Sequence, residues 1–115
     1  MDLAQNQIDS YNENGYLAVE NVFSESEIED LRRVTGEFVE QTRELSEHTA
    51  VFDLDFDAGH SAQTPKLRRI SGPHELHPVY DAAMNNANVL DVLEDLIGPD
   101  IRLHHTKLNM KAPGG

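Results

Sequence analysis

The sequence predicts an α+β fold, on three observations. Apolar residues recur at three- and four-residue spacing through residues 24–45, the stripe of an amphipathic helix. Residues 101–111 instead alternate with period two, as a strand does. The element order reads helix, strand, helix, irregular, helix, strand, which suits helices packed against a sheet.

The first helix is expected over residues 3–14, with Leu3, Ile8 and Tyr11 on one side and Asn14-Gly15 as its stop. Tyr16 to Phe23 reads as a strand, with Leu17 and Val19 sharing a face. Ser24 and Glu27 form a capping box that opens the clearest helix. Its stripe is Ile28, Leu31, Val34, Phe38, Val39 and Leu45, so it should run to about Leu45. Val51 to Asp57 alternates apolar and acidic residues, a short strand, and 58–65 is a loop. Lys66 to Ile70 forms another short strand, closed by Ser71-Gly72-Pro73. Pro78 suits the first turn of a short helix through Met84. Asn88 is expected to cap a last helix that buries Val89, Leu90, Leu93, Leu96 and Ile97 and ends at Gly98-Pro99. The final strand places Ile101, Leu103, His105, Lys107, Asn109 and Lys111 on one face. The sequence then stops at Pro113-Gly114-Gly115, a turn signal, and so is expected to end in mid-fold.

The 115 residues make one domain or part of one. With 38% hydrophobic and 26% charged residues the chain is of the globular class. A net charge of −12 makes nucleic acid a poor partner. No apolar run is long enough to span a bilayer and the first residues carry no secretory pattern, so cytoplasm is the expected location. Without cysteine there are no thiolate metal sites or nucleophiles.

Two metal-like patterns fail on spacing. A calcium loop beginning at Asp53 would need Gly at 58 and Glu at 64, where the sequence has Ala58 and Thr64. His74 and His77 stand at i, i+3 between two prolines, not at the i, i+4 spacing of a zinc helix, so the segment is expected to be a loop. His104 and His105, adjacent on a strand, would face opposite ways. More informative is a cationic group in an acidic chain. Lys66, Arg68 and Arg69 cluster, and Lys107 and Lys111 share one strand face. Such a group suits an anion, Arg as a fork and Lys as a point charge, although ordinary pairing with surface carboxylates accounts for it equally well.

Five segments carry a family resemblance. They are Asn12-Glu-Asn-Gly-Tyr-Leu-Ala-Val-Glu-Asn-Val-Phe23, the Ser24-led helix containing Glu27-Ile-Glu-Asp-Leu-Arg32, Leu67-Arg-Arg-Ile-Ser-Gly-Pro73, Val89-Leu-Asp-Val-Leu-Glu-Asp-Leu-Ile-Gly-Pro-Asp100 and His105-Thr-Lys-Leu-Asn-Met-Lys-Ala-Pro-Gly-Gly115. In order and spacing they resemble the N-terminal part of the phytanoyl-CoA dioxygenase family. The resemblance implies a partial domain over 1–115, with N-terminal helices and the first strands of a double-stranded β-helix. It implies an iron(II)- and 2-oxoglutarate-dependent oxygenase that hydroxylates a C–H bond of a small molecule, releasing succinate and carbon dioxide. Iron in that family sits on two His and a carboxylate, beginning with a His-x-Asp. No His-x-Asp occurs in the 115 residues, so no catalytic or metal ligand is expected within them.

By resemblance, Lys107 and Arg69 contact 2-oxoglutarate, with Arg68 one register from Arg69 and with His105 and Asn109 lining the same pocket. The segment alone is expected to bind neither cofactor tightly, and to self-associate through an unpaired strand edge. The alternative is a non-catalytic acidic module that binds an anion or a protein through Lys66, Arg69 and Lys107.

Overall fold

The structure, a computed structural model, describes residues 1–114; Gly115, the last residue of the expected turn, lies outside them. Five α-helices are described: α1 (Gln5–Asn14), α2 (Glu25–Gln41), α3 (Pro73–Leu76), α4 (Pro78–Met84) and α5 (Ala87–Ile97). With them lie three short strands, β1 (Phe52–Leu54), β2 (Leu67–Ser71) and β3 (Lys107–Asn109). The strands form one antiparallel sheet in the order β1-β2-β3. Among the described residues, no helix is long and apolar enough to cross a membrane.

Helix α2 begins as its sequence dictates. The Glu27 backbone N–H donates to Ser24 Oγ (3.2 Å), and the Ser24 N–H donates back to Glu27 Oε1 (3.0 Å). A 3₁₀ turn at Thr42–Glu44 continues it and delivers Leu45 to the core. The stripe lays Val34 and Phe38 on the sheet, where they meet Leu54, Leu67, Ile70 and Tyr80. The Phe38 ring sits 6.3 Å from Phe52 and 6.0 Å from Tyr80. Thr42 is fully buried at the helix end, its hydroxyl donating to the Val39 carbonyl at 2.6 Å.

Four elements differ from the expectation. Residues 16–23 form no strand: Asn21 takes φ 60, which breaks the extended run, and Val22 O accepts Asn88 Nδ2 (2.9 Å) rather than a sheet neighbour. That bond also explains why Asn86, not Asn88, caps α5; Asn86 Oδ1 accepts the N–H groups of Asn88 and Val89. Helix α5 buries Val92, while Leu90 and Ile97 stay exposed. The last strand has three residues, because its neighbour runs out: β2 turns into α3 at Gly72-Pro73, just past the Ser71–Lys107 pair. Residues 101–106 therefore have no ladder partner.

The segment from His74 to His77 is one helical turn rather than a loop, and its histidines serve different neighbours. His77 Nδ1 accepts the Val79 N–H (3.1 Å) and caps α4. His74 Nδ1 lies 2.5 Å from Thr106 Oγ1.

Candidate functional site

The central strand carries a bulge. Phe52 pairs with Ile70 and Asp53 with Arg69, but Leu54 pairs with Leu67, so Arg68 is an extra residue on β2. A bulge residue breaks the strict alternation of side chains. Leu67 and Ile70, three apart, are consequently both buried, whereas Arg68 and Arg69, which are adjacent, are both exposed and both reach Asp53.

Cross-strand pairs fix the two faces. Phe52, Ile70 and Leu108 make one row, turned to the core. Asp53, Arg69 and Asn109 make the row on the opposite face, and the Ser71–Lys107 pair lies next along it. The sheet thus brings three of the expected residues, Arg69, Lys107 and Asn109, onto one open face.

His105 is displaced from that expectation. It precedes the ladder, exposed, with its ring 4.6 Å from that of His104, so the two histidines face each other instead of lying on opposite sides of a strand. It still borders an open cleft of about 600 Å³ together with Ser71, His74, Thr106 and Lys107. The cleft wall is held by two links from the β2–α3 turn: the Gly72 N–H donates to Thr106 O (2.9 Å), and His74 meets the Thr106 hydroxyl. Lys66 stands apart, before the other end of β2 from Ser71 and Lys107.

Asp53, singled out in the sequence only as the start of a failed calcium loop, organises the charges. Its side chain is only 16% exposed. Its Oδ2 accepts the Arg68 Nε–H at 2.8 Å and lies 2.8 Å from a terminal guanidinium nitrogen, while Oδ1 lies 2.9 Å from His48 Nδ1, which itself accepts the Leu54 N–H (3.0 Å). Arg69 approaches Oδ2 no closer than 3.8 Å, outside hydrogen-bond reach. The Arg68 hydrogen bond, above all, holds the Asp53 carboxyl below its ordinary range, and Asp53 in turn raises Arg68. The available signal for Asp53 was its place on an alternating strand opposite an arginine pair.

Among the described residues, no three His, Asp or Glu side chains converge as a metal seat. Iron therefore does not fit on these residues. An anionic ligand does fit the face of Arg69 and Lys107, two cations whose side chains make no hydrogen bond among the described residues.

The family model described as phytanoyl-CoA dioxygenase (PhyH) matches residues 11–115. The chain is 29% identical to a probable alpha-ketoglutarate-dependent hypophosphite dioxygenase of Stutzerimonas stutzeri, over 91% of this chain and 36% of that protein. It is 26% identical to an ectoine dioxygenase of Sphingopyxis alaskensis, over 97% of this chain and 34% of that protein. An ectoine dioxygenase of Bordetella parapertussis matches at 23%, over 97% and 33%. The chain spans about a third of the length of the curated relatives it matches.

Proposed function

The chain belongs to the phytanoyl-CoA dioxygenase family, and on that premise we propose that it supplies part of the cosubstrate site of an iron(II)- and 2-oxoglutarate-dependent dioxygenase. The whole protein would hydroxylate a C–H bond of a small molecule and release succinate and carbon dioxide. Iron(II) would supply the oxygen chemistry when bound, and the described residues offer no group of three ligands for it. Within 1–115, one part of a single domain, the role is binding and orientation.

One observation carries this reading: Arg69, Asn109 and Lys107 occupy neighbouring positions on one sheet face, and the Arg69 guanidinium, 3.8 Å from Asp53, makes no hydrogen bond among the described residues. A dicarboxylate keto acid needs positive charge at its carboxylates and donors that fix its orientation. Arg69 offers a fork and Lys107 a point charge, with the Asn109 amide beside Arg69. The relative from Stutzerimonas, alpha-ketoglutarate-dependent by its name, supports the choice of anion.

A cationic face without a metal seat also suits a second reading, a non-catalytic anion-binding module centred on Arg69 and Lys107. Lys66 has no part in that face. The two readings separate in the source DNA beyond the codon for Gly115. The enzymatic reading expects an open frame with a His-x-Asp and a later His, and the encoded protein forming succinate from 2-oxoglutarate in the presence of iron(II). A stop codon directly after Gly115, or a longer protein that forms no succinate, would favour the non-catalytic module.

A further inference from the structure

We propose that Arg68 is a positioning residue: by occupying Asp53 it keeps the neighbouring Arg69 open for an anionic ligand. The inference rests on the reading of Arg69 as a ligand contact, but its central step concerns this chain's own side chains and is testable without ligand.

The bulge makes the arrangement necessary. It turns two adjacent arginines toward a single carboxylate, so Arg68 and Arg69 compete for Asp53. Arg68 wins that competition. Two of its nitrogens converge on Oδ2 at 2.8 Å, and His48 Nδ1 stands 2.9 Å from Oδ1. Oδ2 is thereby engaged by Arg68 and Arg69 is left 3.8 Å from it, while Oδ1 faces a His48 Nδ1 that already accepts the Leu54 N–H (3.0 Å). Arg69 stands within ion-pair range of Asp53 but spends no hydrogen bond on it.

Were Arg68 absent, a shift of under about 1 Å would bring Arg69 into hydrogen-bond range of Oδ2. An incoming carboxylate would then have to displace Asp53 from Arg69. An ordinary surface ion pair is worth little to stability. Here the pair's value lies in what it leaves unpaired.

The test is arginine side-chain NMR on the 115-residue chain without ligand, followed by titration with 2-oxoglutarate. In the wild type, Arg68 should show a protected Nε–H and hindered rotation of its terminal nitrogens, and Arg69 neither. In Arg68→Met, Arg69 should become the held side chain, and 2-oxoglutarate affinity should fall about tenfold, the loss expected for a competing charge-assisted hydrogen bond. The double variant Asp53→Asn/Arg68→Met should release Arg69 and bring the affinity back to within about twofold of the wild type. A role in folding alone could restore stability in the double variant, but it does not predict that the Arg69 side chain becomes held in Arg68→Met and is released again in the double variant, which the ligand-free spectra read directly.

Asp53→Asn by itself gives an independent check should Arg68→Met fail to fold. Arg68 should become mobile there while Arg69 keeps its wild-type behaviour. An Arg69 already held in the wild type, or unmoved in Arg68→Met, overturns the proposal. A wild type whose Arg69 is free yet silent to 2-oxoglutarate overturns the ligand reading and leaves the competition for Asp53 established.

Discussion

Asp53 contributes to the acid sensitivity of this structure. Its carboxyl is held below the ordinary carboxylate value, chiefly by the Arg68 hydrogen bond. A group with a depressed folded-state value stabilises the fold above its unfolded value, about 3.9 for Asp, and loses that contribution as pH falls through the folded-state value. Urea midpoints should therefore drop between pH 6 and pH 3, and drop less in Asp53→Asn; an equal drop in both would remove Asp53 from the account. Glu27 shifts in the same direction, because the Ser24 backbone and hydroxyl bond its charged form, so part of the acid sensitivity survives that substitution. Ser24→Ala removes the hydroxyl cap from α2 and should cost about 1 kcal/mol in a denaturant titration. The capping box was legible in the sequence because its partners are three residues apart. The division of labour between Arg68 and Arg69 was not, since it depends on which residue of β1 each one faces.

At the level of elements, the partner strand decided what periodicity could not. The alternation of 101–111 correctly placed Lys107 and Asn109 opposite Leu108 and Met110, which pack on the core. Its length was overread, because ladder pairing ends where β2 becomes α3. The same holds for 16–23, which alternates well but has no sheet neighbour among the described residues. Ile70, with no exposed surface, lies under both α2 and β3. Ile70→Ala should cost about 2–5 kcal/mol by cavity formation and loosen the Arg69–Asn109 row above it. Gly72, at φ +62, turns β2 into α3 and donates to Thr106 just before Lys107. Gly72→Ala should cost about 1 kcal/mol through the left-handed conformation, not through a clash, since the nearest atom to an added Cβ is 3.8 Å away. Thermal melts of the two variants, compared with the wild type, check both magnitudes.

The whole molecule is open for its size. Its radius of gyration is 16.8 Å, whereas a compact domain of this length would measure about 13 Å. It exposes 8042 Å², against about 6,300 Å² for a compact domain of its mass. Both departures come from a small core, a three-stranded sheet with one face bare, and helices α1 and α5 joined to the rest by few contacts. Each outer strand has one neighbour, and β3 presents a free edge among the described residues. Self-association through that edge is the expected consequence. Sedimentation velocity should show a weight-average mass that rises with concentration, and a constant monomer mass across a hundredfold range would contradict it.

The central claim, an anionic cosubstrate held between Arg69 and Lys107, is tested most directly by adding 2-oxoglutarate to the ¹⁵N-labelled chain and following its amide and arginine signals. The account predicts saturable shifts concentrated on Arg69, Ser71, Lys107 and Asn109, weakened about tenfold by Lys107→Ala and not reproduced by sulfate at equal ionic strength. Shifts absent from those residues, or unaltered in Lys107→Ala, would contradict it.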